Sequence, residues 1–148
     1  MLAGRLNARL VSLDEIYPGW DGLSYATEEA ARLVRLHAAG ERATYRRWDW
    51  TRDEWGEEAA VIDETIPLIV EGCGALTAAS ASAADASIWM DEDPAVRRQR
   101  ACDRDGDAMR SQWDRWAAQE SAHIAAHNPA GLADMRIDPA LSSDLAPE

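Results

Sequence analysis

The stretch from Met109 to His127 constrains the fold more than any other part of this chain, because it repeats large or functional side chains at spacings of 4, 3, 4, 3 and 4 residues. The six residues at these spacings are Met109, Trp113, Trp116, Glu120, His123 and His127. A helix turns about 100° per residue, so all six share one face. Tryptophans favour burial, whereas carboxylates and imidazoles are buried only with partners. The stretch predicts a central helix whose face is either a core stripe with a polar end or a metal-binding face.

Three earlier segments carry helical signals. Leucine spacing predicts a first helix over residues 2–16. A second helix is predicted with Thr27 as its N-cap, and a capping box that starts at Thr51 predicts a third helix from Arg52. The buried seams of these helices are predicted to be Leu2, Leu6, Leu10 and Leu13 in the first, Ala30, Leu33, Val34 and His37 in the second, and Trp55, Ala59, Ile62 and Ile66 in the third.

The second half of the chain has clearer helix boundaries. Asp93 before Pro94 is a strong helix start, and the helix is predicted to run to His127 with a break at Gly106. A short last helix is predicted over residues 130–136. The sequence therefore predicts an all-α fold, an irregular antiparallel bundle of four to six helices.

The sequence does not decide the secondary structure of two segments. Residues 41–50 fit a helix, an irregular connector or a strand, and residues 68–90 fit helix, strand or loop. Residues 1–137 are predicted to form a single helical domain. Residues 138–148 contain proline, serine and acids with little to bury, so a flexible acidic tail is expected there.

Charge and cysteine content limit the classes of function that this chain can have. The chain has a net charge of −12 and no lysine, which opposes binding to nucleic acid or to an anionic membrane. The same charge favours solubility, a basic protein partner or a salty environment, and a solvated acidic surface is the simplest of these interpretations. Cys73 and Cys102 form neither a disulfide framework nor a CxxC motif, so a reduced, cytoplasmic setting is expected, and the sequence leaves open whether they pair. We find no apolar run of membrane-spanning length without charges.

Glu120, His123 and His127 are the strongest candidate site. An HxxxH pair places two imidazoles one helical turn apart, where both can bind one divalent ion such as zinc, and Glu120 lies one turn earlier. His37 is predicted to supply a fourth ligand from the second helix. The alternative is structural: His127 interacts favourably with the helix dipole, and His123 is a polar core residue with partners. The pattern resembles the three-histidine bundles of the DinB and mycothiol-dependent isomerase class, but there the helix continues past the HxxxH motif.

A second resemblance covers the segment QESAHIAAHNPAGL, residues 119–132. It is similar to a HIA-x-H-(D/N)-P-A segment in small uncharacterised proteins of actinobacteria and their phages, which implies a source of that kind. We expect a small, acidic, non-enzymatic accessory protein of phage or mobile-element type that binds another protein and needs no cofactor. The alternative is a metal-binding helical bundle, a hydrolase or isomerase that uses the Glu120 and histidine face.

Overall fold

The computed structural model of the chain describes residue 4 and residues 6–138. Its elements in chain order are strand β1 (Arg9–Ser12), helix α1 (Leu23–Ala38), strands β2 (Ala43–Asp49), β3 (Glu54–Ile62) and β4 (Leu68–Glu71), helix α2 (Ala78–Ala81), strand β5 (Ile88–Met90), helices α3 (Pro94–His127) and α4 (Pro129–Leu132), and strand β6 (Met135–Ile137). Two 3-10 turns, Leu13–Glu15 and Gly19–Asp21, connect β1 to α1. The fold is mixed α/β, so the prediction of an all-α helical bundle is wrong.

The strands form three small sheets. β1 and β4 are parallel, β2 and β3 form an antiparallel hairpin, and β5 and β6 are parallel. Each sheet within the described residues has two strands. Two-stranded sheets are marginal alone, so these depend on packing against the helices. The predicted tail, apart from Asp138, lies outside the described residues.

One hydrophobic core joins α1 to the β1 and β2–β3 strands and to α3. Helix α1 contributes residues at spacings of 3, 4 and 3, as an amphipathic helix should. The buried cluster comprises Val11, Leu13, Ile16, Tyr17, Leu23, Ala26, Ala30, Leu33, Ala43, Tyr45, Ile62 and Trp116. Trp116 is the α3 residue in this cluster, so it links the second half of the chain to the first.

The predicted first helix over residues 2–16 is replaced by a strand and a turn. Arg9–Ser12 pairs in parallel with Leu68–Glu71, and Leu13–Glu15 forms a 3-10 turn. The leucines at 10 and 13 thus fit a strand that leads into a turn, because β4 supplies hydrogen bonds that local spacing cannot reveal. The part of this prediction on residues 1–3 and 5 lies outside the described residues.

The predicted third helix is also wrong. The Asp49 carboxylate accepts hydrogen bonds from the backbone amides of Thr51 and Arg52, and these bonds build the turn of the β2–β3 hairpin instead of a helix start. Trp55 then lies opposite Trp48, with the two ring centroids 5.2 Å apart. A strand was one of the interpretations of residues 41–50, and strand β2 is present there.

The second and last helices begin or end elsewhere than predicted. Helix α1 begins at Leu23, and the Thr27 hydroxyl donates to the Leu23 carbonyl oxygen (2.9 Å) instead of capping the helix. The last helix ends at Leu132, where the chain turns into β6. In residues 68–90, strands β4 and β5 flank a loop and the short helix α2.

Helix α3 is two helices that fold back on each other. Its predicted start is confirmed, because the Asp93 carboxylate accepts from the amides of Ala95 and Val96. Arg97 and Glu120 would lie about 35 Å apart on a straight helix, yet Arg97 Nη1 is 2.6 Å from both carboxylate oxygens of Glu120. The reversal is at Gly106, whose φ of 68° and ψ of −141° are not helical. The predicted break at Gly106 is thus confirmed.

Replacing Gly106 with alanine tests this reversal. A Cβ there would meet no atom within 4 Å, so the backbone conformation alone decides the effect. We expect Gly106→Ala to lower the free energy of unfolding by about 1–3 kcal/mol, the cost of a non-glycine residue in this region of φ and ψ. In a continuous helix the same change would raise it by up to about 1 kcal/mol. Urea denaturation distinguishes the two cases by sign.

Candidate functional site

Two of the four predicted metal-binding residues, Glu120 and His37, have polar partners within the protein, whereas His123 Nε2 is buried without a hydrogen-bond partner among the described residues. The ring centroids of His123 and His127 are 4.7 Å apart, as the HxxxH spacing predicts. Glu120 is held by the Arg97 guanidinium. His37 Nε2 lies 2.8 Å from the Ile66 carbonyl oxygen. A metal ion that used all four residues would have to displace Arg97 and Ile66 from two of them.

No group of three or more histidine, cysteine, aspartate or glutamate side chains within residues 4 and 6–138 is arranged to hold a metal ion. The zinc-type site at Glu120, His123, His127 and His37 therefore stays a prediction. The structure does show that this face of α3 is partly buried. His123 is buried, and His127 is exposed at the end of the helix.

Glu120 belongs to a polar cluster beside the core. The Cys73 thiol donates to Glu120 Oε1 (3.6 Å), and the Tyr17 hydroxyl donates to the Cys73 carbonyl oxygen (2.8 Å). Burial raises the pKa of Cys73 to about 12, and the Glu120 charge adds to this shift. The thiolate is the nucleophilic form of cysteine, so a thiol held protonated is poorly suited to attack a substrate. Both Cys73 and Cys102 are free thiols.

His123 makes stability depend on pH. Burial lowers its pKa below the usual 6.5, and the charge of His127 lowers it further, while the Leu76 backbone and Glu120 oppose the shift. The unfolded state then binds more protons than the folded state as pH falls through 6.5. The His123 contribution to stability is therefore fully present above pH 6.5 and is lost as the pH falls towards its folded pKa.

We expect the free energy of unfolding to decrease between about pH 7 and pH 5. The change His123→Gln should flatten this part of the profile. His127→Gln, which removes only the neighbouring charge, should flatten it in part. Urea denaturation at a series of pH values measures both effects, and an unchanged slope in His123→Gln would show that other groups cause the dependence.

A group of exposed apolar side chains lies on β5 and β6. Ile88 is 46% exposed, Met90 65% and Met135 56%. Ile88 pairs with Met135 in the sheet register, and Met90 pairs with Ile137, so these side chains share one face. We call this face the β5–β6 surface, defined by Ile88, Met90, Met135 and Ile137. Contiguous exposed apolar residues on a folded protein commonly mark interaction sites.

Carboxylates flank this surface. Residues 85–93 contain four acids and no arginine, and residues 134–138 contain two acids and one arginine. The six acids are Asp85, Asp91, Glu92, Asp93, Asp134 and Asp138. Arg100 neutralises Glu92 at 3.0 Å, and Asp134 accepts hydrogen bonds from the Ser87 hydroxyl and amide, which lower its pKa. The chain segments that carry the two strands are therefore mainly acidic.

The outer edge of β5 is open within the described residues, where β6 is its one sheet neighbour. The Met135 amide donates to the Ser87 carbonyl oxygen (3.1 Å), and the Asp91 amide donates to the Ile137 carbonyl oxygen (2.9 Å). Backbone groups alternate in direction along a parallel strand. Trp89 therefore directs its backbone groups to β6, while Ile88 and Met90 direct theirs to the open edge.

Sequence reasoning missed this surface. The available signal was Ile88-Trp89-Met90 followed directly by three acids, a short β-prone run with a charged flank. Its partner strand, Met135–Ile137, lies 47 residues further along the chain. Nothing in the local pattern of either segment indicates the pairing.

No protein-family model matches the chain, and no curated protein matches it. In the part of the chain that the structure describes, no helix combines the length with the apolar character that crossing a membrane requires.

Proposed function

We propose that this chain is a non-enzymatic interaction protein that binds a basic, extended segment of another protein at the β5–β6 surface. The observation that carries the proposal is the combination of exposed Ile88, Met90 and Met135 with an open strand edge and a border of carboxylates. Exposed apolar area supplies the favourable free energy of binding, and the acids select the partner's charge.

An extended partner fits because the edge of β5 offers unpaired backbone groups. A third strand added beside β5 would form main-chain hydrogen bonds with Ile88 and Met90, while its alternate side chains would lie over the apolar face. Unprotected sheet edges pair readily with other chains. An added strand would also remove the exposed edge that this small sheet leaves.

A basic partner fits because the whole chain carries a net charge of −12. Two copies of the chain that met at this surface would bring their acidic borders together, and such like-charge contacts are unfavourable. The Arg136 side chain lies on the other face of the sheet from Met135 and Ile137 and donates to the Ala130 carbonyl oxygen (2.7 Å). Lysine or arginine residues on a partner strand would instead meet carboxylates on both sides.

A synthetic peptide tests the proposal without knowledge of the natural partner. The probe is a fluorescein-labelled peptide of alternating valine and lysine, and its control is the same peptide with glutamate in place of lysine. We expect the lysine peptide to bind saturably by fluorescence anisotropy and the glutamate peptide to bind at least about tenfold more weakly. Because the contribution is partly ionic, added salt should weaken the binding.

A matched pair of variants locates the binding. The double change Ile88→Ser with Met90→Ser removes the apolar side chains without changing the charge and should weaken binding of the lysine peptide at least about tenfold. The control is Val61→Ser, since Val61 is similarly exposed but lies on β3. Equal binding by the double variant and the wild type would contradict the proposal, as would dimerisation of the wild type through this surface.

A further inference from the structure

A shallow pocket of about 240 Å³ lies between α1 and the β2–β3 hairpin. Its lining includes Tyr25, Glu29, Thr44, Arg46, Trp55 and Ala59. Ala59 pairs with Arg46 in the hairpin register, and its small side chain leaves the space beside the guanidinium open. This pocket is formed by other elements than the β5–β6 surface and does not depend on the function proposed for that surface.

The carboxylate in the pocket is already neutralised. Arg32 donates to both oxygens of Glu29, at 2.5 and 2.8 Å, and also to the Thr44 carbonyl oxygen at 2.6 Å. Two parallel hydrogen bonds from one guanidinium make this a strong and well-oriented pair. Glu29 therefore adds little net negative charge to the pocket.

The guanidinium of Arg46 has no such compensation. It donates from Nε to the Gly56 carbonyl oxygen (3.0 Å) and from Nη2 to the Trp55 carbonyl oxygen (3.3 Å). Among the described residues it forms no ion pair with a carboxylate. Because a guanidinium has five N–H donors, Arg46 keeps donors for an anion that enters the pocket.

Two aromatic rings, those of Tyr25 and Trp55, lie beside the Arg46 guanidinium. The Tyr25 and Trp55 ring centroids are 5.2 Å apart at an angle of 54°, and Tyr25 is about half exposed. Arg46 Cζ lies 5.9 Å from the Trp55 ring centroid, so the charge and the ring line the same space. A flat apolar group could pack against these rings while an attached anion met Arg46.

We propose that this pocket binds a small aromatic carboxylate. The carboxylate accepts hydrogen bonds from the free N–H groups of Arg46, and the ring packs against Tyr25 and Trp55. Pockets for drug-sized ligands measure roughly 300–1,000 Å³, so a pocket of about 240 Å³ fits a ligand with a single ring.

The probe for this pocket is phenylacetate, titrated against the full chain and followed by nuclear magnetic resonance of the tryptophan indole N–H groups. Benzyl alcohol keeps the ring without the charge, and acetate keeps the charge without the ring. We expect phenylacetate to shift the Trp55 signal saturably and both controls to bind at least about tenfold more weakly. Benzyl alcohol binding as tightly as phenylacetate would overturn the proposal, as would the absence of saturable binding up to about 10 mM.

Two variants and a matched control complete the test. Arg46→Gln removes the charge and should lower the affinity for phenylacetate at least about tenfold. Tyr25→Ala removes a ring, leaves Arg46 in place and should lower the affinity severalfold. The control, Arg52→Gln, changes a hairpin arginine that is paired with Glu54 at 2.5 Å and should bind as the wild type does. Unchanged affinity in both pocket variants would overturn the proposal.

Discussion

Trp116→Ala is expected to lower the free energy of unfolding by about 3–5 kcal/mol, the usual cost of removing a large buried aromatic side chain. Trp116 is 9% exposed, and its ring centroid lies 4.7 Å from that of Tyr17 and 6.4 Å from that of Trp20. It is the α3 member of the core. Its loss would leave a cavity where the second half of α3 meets the first part of the chain.

Urea denaturation measures this change, and Trp113→Ala is the matched control. Trp113 lies one turn earlier on the same helix but is only half-buried and is not part of the core cluster. We expect the control to cost less than half as much. Equal losses in the two variants would mean that the core does not extend onto α3 at Trp116.

Gly74→Ala is expected to lower the free energy of unfolding by about 2–6 kcal/mol. Backbone strain contributes about 1–3 kcal/mol of this loss and overpacking contributes about 1–3 kcal/mol. Gly74 has a φ of 91°, which side chains rarely adopt. An added Cβ would also press on the Thr27 hydroxyl and come within 3.3 Å of Leu23 Cδ2. Both residues are buried, and Thr27 is hydrogen-bonded to the Leu23 carbonyl, so α1 has little room to move.

Gly40→Ala separates the two contributions. Gly40 has a φ of 70°, but an added Cβ there would meet no atom within 4 Å. Only the backbone strain remains, so we expect the free energy of unfolding to fall by about 1–2 kcal/mol. A melting temperature for Gly74→Ala no lower than that for Gly40→Ala would show that the loop carrying Cys73 is not packed tightly on α1.

The sequence was most informative where a single residue sets the local structure. Asp93 before Pro94 predicts the start of α3 because a carboxylate cap and a proline both favour a helix N-terminus. Gly106 predicts the break because glycine tolerates a conformation that other residues avoid. The sequence also predicts a shared face on this helix, of which Met109, Trp116 and His123 are buried, Trp113 and Glu120 are half-buried and His127 is exposed.

The sequence was least informative where a strand needs a distant partner. Trp55, Ala59 and Ile62 have helical spacing, yet pairing with β2 makes their segment a strand. Arg9–Ser12 pairs with residues about sixty positions away, and β5 pairs with β6 across the whole of α3. Hydrogen bonds across such separations override local propensity and leave no periodic signal.

The candidate site was missed for a related reason. The sequence draws attention to the histidines and does not show that Arg97 pairs with Glu120. These two residues lie 23 positions apart and meet only because Gly106 reverses the helix. Ile88 and Met135 form a common surface only because β5 and β6 are adjacent. Neither pairing follows from spacing along the chain.

The most direct test of the proposed function is amide hydrogen exchange of residues 85–93 and 134–138, measured with and without the valine–lysine peptide. Strand addition to β5 predicts that the peptide slows exchange at the amides of Ile88 and Met90, while the exposed strand residue Val61 keeps its rate. Peptide binding that leaves Ile88 and Met90 unprotected, or that protects the β2–β3 hairpin instead, would contradict the account.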